Sequence, residues 1–575
     1  MTVAELIAAR LAAGGVSRAF GFPGGGSNLD LIEAFSSVGI EFVLSHTEVS
    51  AALMACATAE LSGVPGVVVV GNGPGLTSVV NGVAHAHLDR VPLIVLSDRY
   101  TDAELTTTGH QILDQRALLA PVVKWSATVG ARGVGALLDH ALAVASAAPC
   151  GAVHLDMPRT VGGEVAVAAP PHDADLAATP HGADPAAPLG APPGADLAAP
   201  LGDGCAAPPV HSAPPRGADP AAPPAASPHG ADLAAIADAL SPARHPVLLA
   251  GLEASRALSD GALQELAERL GAPVLTTYKA KGVLDERHPL WAGILTGGAL
   301  EAPLLDAADA ILTVGLDPVE LLTKSWPHSA PVFALRTCAL GADYGAPAVT
   351  WIGDLATGVA ELTERLPGSR QWGDAGAHRE QALSALRIES DSALTGWRVI
   401  EALVHELPAD TPVAVDAGAH MFPATWFWRA HAPRRFLISN GLATMGFAVP
   451  SAIAAARDGL AVAITGDGGM AYGAFELETA VRLGARVLVV VLDDASLSLI
   501  RIKHEAKGHD RARLDFGPVG FATVAEGLGV ASWVVEEEAA LRLAIREAAA
   551  SEGPALIDAR ISGAEYARTL EVVRG

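Results

Sequence analysis

Residues 464 to 494 read ITGDGGMAYGAFELETAVRLGARVLVVVLDD, and the placing of apolar and acidic residues in this stretch decides the fold. It starts inside one apolar run, LAVAITGDGG at 460–469, and ends on another, RVLVVVLDD at 486–494. Both runs are of strand length and apolar without alternation, as expected of strands buried on both faces of a parallel sheet. The residues between them are enough for one helical crossover, so the stretch is a strand, a helix and a strand. Both strand ends then emerge on the same C-terminal edge, where open α/β sheets bind ligands. Asp467 and Asp494, 27 positions apart, meet at that edge and can ligate one hard cation such as Mg²⁺ through oxygen. Gly466, Gly468 and Gly469 leave backbone N–H groups open at a helix N-terminus, which suits a phosphate. Metal and N–H groups together make a diphosphate seat. Gly-Asp-Gly alone reads better as an ordinary turn; the second acidic pair, at a strand end of the right spacing, is what makes it a site.

The same alternation of apolar runs and helical stretches covers most of the chain. Strands are expected at Ala19 to Gly21, Phe42 to Leu44, Gly66 to Val70 and Leu93 to Leu96, with a helix over Glu48 to Ser62. Further strands are PVLLAG (246–251), PVLTTY (273–278), AILTVGL (310–316) and PVAVD (412–416). A length of 575 residues, at roughly 150 per domain, allows three or four units. The expected fold is α/β, with three parallel-sheet domains at 1–160, 233–366 and 390–575. Between the first two, residues 165–232 collapse into Ala, Pro, Gly, Asp and His, with Gly-Ala-Asp recurring at 182, 194, 217 and 230. So few aromatic or β-branched residues cannot offset the entropy of folding, and a disordered linker is expected. Its widely spaced histidines (172, 181, 211 and 229) read as compositional, not as a metal tract.

A formal charge of −25 argues against nucleic acid or an anionic membrane as partner. The apolar runs fall far short of the roughly 20 residues of a membrane span, and the N-terminus lacks the pattern of a secretory signal. A cytoplasmic protein is the expectation. The four cysteines (56, 150, 205 and 338) are scattered and suggest neither zinc nor disulfides.

The 464–494 stretch resembles the diphosphate-binding motif of thiamine-diphosphate-dependent enzymes, and the order of motifs along the chain resembles that of acetolactate synthase and its relatives. The resemblance implies that Asp467, Asp494 and the backbone carbonyl of Ser496 hold Mg²⁺. Relatives end the motif with two asparagines, where this chain has Asp493-Asp494. LSHTEVSAALMA places Glu48 at the family's glutamate, which hydrogen-bonds N1′ of the aminopyrimidine so that the 4′-nitrogen can take the C2 proton of the thiazolium. In SNGLATMGFAVP (439–450), Met445 matches the bulky residue that bends the cofactor, and the carbonyl of Ala443 would accept from the 4′-amino group. Asp416-Ala-Gly-Ala-His420 matches a loop that touches the diphosphate, with Ala419 where acetolactate synthases commonly carry glutamine. FGFPGGGSNLDLIEAF (20–35) and GNGPGLTSVVNGVAHAHLDRVPLIVLS (71–97), the latter with Pro74 as a cofactor contact, also resemble the family. Gln111, with His110 at a phenylalanine position, matches a glutamine that approaches C2 from the substrate side. Six positions after Asp494 stands Ile500, where pyruvate-decarboxylase relatives carry a glutamate.

The central TTYKAKGVLDERHPLWAGIL (276–295) is similar to the FAD-bearing domain of acetolactate synthase, yet the flavin signature is replaced by Val314 to Glu320. No tight FAD is expected. The implied activity is a carboligase that decarboxylates a pyruvate-like 2-oxo acid and transfers the acyl unit to an acceptor carbonyl, with a decarboxylase or C–C lyase as the alternative. The implied assembly is a homodimer or homotetramer.

Overall fold

The structure, a computed structural model, describes residues 1–168, 229–320, 326–340, 345–368, 372–390, 394–510 and 513–575. Three six-stranded sheets carry the fold. The first holds β1 (Arg18–Phe22), β2 (Glu41–Leu44), β3 (Gly66–Val70), β4 (Leu93–Arg99), β5 (Trp125–Thr128) and β6 (Ala152–Pro158). The second holds β7 (Pro246–Ala250), β8 (Val274–Thr276), β9 (Trp291–Ile294), β10 (Ala310–Val314), β11 (Val332–Arg336) and β12 (Val349–Ile352). The third holds β13 (Val413–Val415), β14 (Phe436–Ile438), β15 (Ala461–Gly466), β16 (Val487–Asp493), β17 (Ala531–Val535) and β18 (Ala555–Arg560).

All neighbouring strands run parallel, so the three-domain α/β expectation holds. The first and third sheets share one winding, β2-β1-β3-β4-β6-β5 and β14-β13-β15-β16-β18-β17, whereas the central order is β12-β11-β10-β7-β8-β9. The unbroken apolar runs behave as the pattern requires: β3, GVVVV, and β16, VLVVVLD, are buried at every position.

The helix Glu48–Ser62 is buried almost all round, as its Ala-rich, unstriped sequence demands. A Cβ at Gly66 would strike the carbonyl of Ala55, and one at Gly82 would strike the Cβ of Ala52. Those glycines bring Glu48–Ser62 close to β3 and to the helix Pro74–Leu88. From the third domain, Phe447, Val449 and Ala452 join Leu53 and Ala52 in one cluster, so first and third domains share a core. Trp291 of the central domain shares another with Phe422 and Trp426 of the third.

Most of the Pro-rich segment read at 165–232 lies outside the described residues. Its ends need correcting. Val165 and Val167 bridge to Thr2 and Arg132 of the first domain. A helix already starts at His229, because Leu233, Ile236, Ala237 and Leu240 form its buried face and a first turn must precede them. Among the described residues no helix is long and apolar enough to cross a membrane.

Candidate functional site

The chain leaves β13 outward to β14 and returns to β15 on the other side of β13, so the third sheet has a topological switch point between β13 and β15. The turn after β13 brings Asp416 to His420, β15 ends in Gly466 with Asp467 next in the chain, and β16 ends in Asp493. Over this edge lies a cavity of about 210 Å³, lined by His420, Ala443, Met445, Gly466, Asp467, Gly468, Gly469, Asp494 and Ser496, with Leu497, Leu499, Ile500 and Tyr566 on its wall. All the residues expected at the diphosphate end are therefore together.

Asp467 starts a helix (Asp467–Gly473), and its carboxylate accepts the N–H of Gly468 at 2.6 Å and of Ser496 at 2.7 Å. Burial and the nearby charge of Asp494 push its carboxyl up to about 7. Burial likewise lifts Asp494 to about 6, against the hydroxyl of Ser498, which donates to it, and Arg501 at 3.9 Å. The donor set fits a magnesium-bound diphosphate: two buried carboxylates whose repulsion a divalent cation would relieve, beside a glycine-lined helix N-terminus. Among the described residues no group of three or more His, Cys, Asp or Glu side chains could hold a metal, so oxygens other than carboxylates would have to complete any ligand set here.

Asp493, at the unusual acidic position, points away from this seat. Its Oδ2 pairs with Arg560 Nη1 at 2.6 Å, and its Oδ1 accepts the N–H of Ala495 at 2.9 Å. Arg560 also pairs with the buried Asp558 at 2.6 Å. Asp493 thus has an internal cation, which it shares with Asp558.

Two further features shape the seat. His420 is buried, which pushes its ring down to about 4, and its Nε2 has no partner. A Cβ at Gly466 would come 3.0 Å from His420 Nδ1, so the glycine is what admits the ring. Asp416, fully buried, accepts Phe447 N–H at 2.6 Å, Ala448 N–H at 3.0 Å and Thr465 Oγ1–H at 2.6 Å. A Cβ at Gly469 would strike its carboxylate. Asp416 therefore ties β13, β15 and the helix Ala448–Ala455 together under the site, a role that its loop motif alone did not reveal.

Glu48, Pro74 and Gln111 lie elsewhere, on the first domain. Glu48 is the first residue of its helix, half-buried, with its carboxyl raised by burial. A Cβ at Gly75, next to Pro74, would sit 3.5 Å from Glu48 Oε1, and one at Gly73 would sit 2.8 Å from the Cβ of Gln111. The three thus gather around one helix N-terminus. Gln111 holds a left-handed backbone (φ +57) and lines a separate cavity of about 420 Å³ with Arg99, Arg116 and Asp156. Within one chain none of the three lines the diphosphate-end cavity. Sequence reading missed Arg560 and Tyr566, which come from the distant end of β18 and beyond, and Arg501, whose pairing with nearby Asp494 carries no motif.

Comparison with known proteins agrees with this geometry. Residues 1–118 match the N-terminal TPP-binding domain of thiamine pyrophosphate enzymes, 233–344 the central domain and 416–559 the C-terminal TPP-binding domain. Acetolactate synthase of Bacillus subtilis is 28% identical over 96% of this chain and 92% of its own length. The "Probable 2-ketoarginine decarboxylase" of Pseudomonas aeruginosa is 29% identical over 97% of this chain and 94% of its own. The thiamine-diphosphate-dependent 4-hydroxybenzoylformate decarboxylase of Rhodococcus jostii superposes with a TM-score of 0.76 at 20% identity, over 97% of this chain and 99% of that one. With the three domain models matched in order along the sequence and a three-sheet α/β fold, the chain belongs to the thiamine pyrophosphate enzyme family and is similar to acetolactate synthase.

Proposed function

We propose that the chain is a carboligase of the acetolactate-synthase type, which decarboxylates a pyruvate-like 2-oxo acid and joins the acyl unit to an acceptor carbonyl. One observation carries this reading. Above its acidic floor the wall that one chain gives the cavity is Leu497, Leu499 and Ile500, and among the described residues that line it no carboxylic acid stands there to protonate a carbanionic carbon. Tyr566, the other ionisable group on that wall, holds its proton firmly because burial pushes its phenol far up. A second carbonyl is then the better electrophile.

In this reading Asp467, Asp494 and the Ser496 carbonyl hold Mg²⁺, while the N–H groups of Gly466, Gly468 and Gly469 and the free Nε2 of His420 meet the diphosphate. Ala443 and Met445 orient the thiamine, and Glu48 exchanges a proton with N1′ of its pyrimidine. Bound thiamine diphosphate supplies the electron sink for the acyl carbanion. Burial of Glu48 suits that exchange, since a raised carboxyl shares a proton more evenly with a weakly basic ring nitrogen. Gln111 faces the substrate, where its amide hydrogen-bonds the carboxylate or the new alkoxide. Because Glu48 does not line the cavity of its own chain, a second copy supplies it, making a homodimer the least assembly and a homotetramer compatible.

Tight FAD is not part of the proposal. The central sheet has a dinucleotide-type strand order, but Glu320 sits in its β7–β10 crevice, accepting Leu252 N–H at 2.7 Å and the Thr277 hydroxyl at 2.5 Å. In this reading an internal carboxyl group fills the crevice that a dinucleotide phosphate would need.

The second reading, a decarboxylase or C–C lyase, is favoured by the 29% identity to a protein named for decarboxylation. Incubation with thiamine diphosphate, Mg²⁺ and pyruvate separates the two. An acyloin or acetohydroxy acid alongside CO₂ supports the carboligase; free aldehyde as the sole organic product overturns it.

A further inference from the structure

Outside the cavity, a buried polar junction lies where the three domains meet. Asp89, just past the helix Pro74–Leu88, is 1% exposed. Its carboxylate accepts three consecutive N–H groups of the third domain: Asn440 at 2.9 Å and Gly441 at 3.2 Å on Oδ1, and Leu442 at 3.4 Å on Oδ2. It also pairs with His85 Nδ1 at 3.0 Å and with Lys279 of the central domain at 3.3 Å. Lys279 in turn holds Glu60 at 2.9 Å. The hydroxyl of Ser439 lies 3.0 Å from His85 Nδ1 and accepts Thr444 N–H at 3.1 Å, which closes the loop. The loop packs hard against the helix end, because a Cβ at Gly441 would lie 2.8 Å from the carbonyl of Leu88.

This loop runs between β14 and the helix Ala448–Ala455 with no regular structure of its own. It holds Ala443 in a left-handed backbone (φ +55), a conformation that costs about 1 kcal/mol or more and persists only when the surroundings impose it. The imposing groups belong to the first domain. Burial alone would raise the Asp89 carboxyl, but the charges of His85 and Lys279 and the N–H of Asn440 outweigh it and hold the group well below the usual carboxylate range.

We propose that Asp89 is a positioning residue for thiamine diphosphate: across a domain boundary it fixes the loop that presents Ala443 and Met445 to the coenzyme. This rests on the roles proposed above for those two residues. Asp89→Asn keeps the volume but leaves one acceptor oxygen where three N–H groups need two. The loop then loosens while the diphosphate seat at Asp467 and Gly468, built on other elements, stays intact.

The test compares two ligands by calorimetry in the presence of Mg²⁺: thiamine diphosphate, which reaches the loop, and inorganic pyrophosphate, which fills the seat alone. Asp89→Asn should weaken thiamine diphosphate about tenfold and leave pyrophosphate within about twofold. Gly441→Ala, which pushes the loop off Leu88 with every buried charge in place, should do the same and serves if Asp89→Asn fails to fold. Asp317→Asn breaks the neighbouring ion pair with Arg90 (2.8 Å) without touching the loop and should change neither affinity. Equal loss of both ligands, or unchanged thiamine diphosphate binding in both loop variants, overturns the proposal. If the unaltered protein binds no thiamine diphosphate, the proposed function itself fails first.

Discussion

Two aspartates at the end of β16 put two acidic groups beside the proposed diphosphate seat, and only Asp494 lines its cavity. The other, Asp493, is answered by Arg560, which also serves Asp558, a buried group that burial lifts to about 6. Removing the arginine should therefore damage the seat through charge, not shape. Arg560→Met is expected to destabilise the fold by about 1–3 kcal/mol and to weaken Mg²⁺-dependent cofactor binding about tenfold, while adding Asp493→Asn should restore most of both. Thermal melts and calorimetry on the single and double variants give that cycle; additive losses would rule out the pairing. The glycines divide in the same way. At Gly468 a Cβ would meet the mobile Cε of Met445 at 2.8 Å, so Gly468→Ala should fold and lose cofactor affinity. At Gly469 it would strike the fixed Asp416 carboxylate and Thr465, so Gly469→Ala should instead lower stability by about 1–3 kcal/mol, read from denaturant midpoints.

Elements were legible in the sequence where local pattern and burial coincide. The expected strand over Gly66 to Val70 and helix over Glu48 to Ser62 match the observed bounds, because the strand is buried throughout, the helix along most of its length, and each is bounded by a glycine or a capping threonine. Asp467 and Asp494 were legible because parallel topology alone delivers two strand ends to one edge. Short β14 (Phe436–Ile438) and the half-exposed edge strand β17 (Ala531–Val535) lack such a pattern, and Asp89 gives no local sign of its task, the loop N–H groups it accepts lying more than 350 positions away. The Glu320 plug was equally hidden, and it makes a prediction about pH. Burial, and secondarily the charge of Asp317, which faces Arg90, lift its carboxyl from 4.5 to about 8. Between those values the folded state keeps a proton that the unfolded chain has lost, so stability falls as pH rises, by at most about 1.4 kcal/mol per unit, and levels off above about 8. Glu320→Gln, isosteric with the protonated form, should flatten the slope of the unfolding midpoint between about pH 5 and pH 8; an unchanged slope would assign it to other groups.

At the scale of the molecule, the cavity at Asp467 and Asp494 and the helix N-terminus at Glu48 are lined by different residues of one chain, and the proposed function needs both. The diphosphate half opens on the edge of the third sheet, the Glu48 half on the first domain, and a shared apolar core holds the two domains together. Bringing both halves onto one coenzyme by bending the chain would disturb that core, and in the proposed function a second copy brings them together instead. Tyr472 and Phe475, 72% and 65% exposed just beyond the glycines of the seat, present the apolar surface that such a copy would cover. If each site takes Glu48 from one subunit and Asp467 from the other, Glu48→Gln and Asp467→Asn homodimers should each lose about a hundredfold or more in turnover. A mixed dimer then rebuilds one intact site and gathers both defects in the other. Co-expressing the two variants at equal levels should recover about a quarter of the unaltered activity, since random pairing makes half the dimers mixed with one good site each. Were both halves drawn from the same chain, every site in the mixture would keep one defect and co-expression would recover nothing.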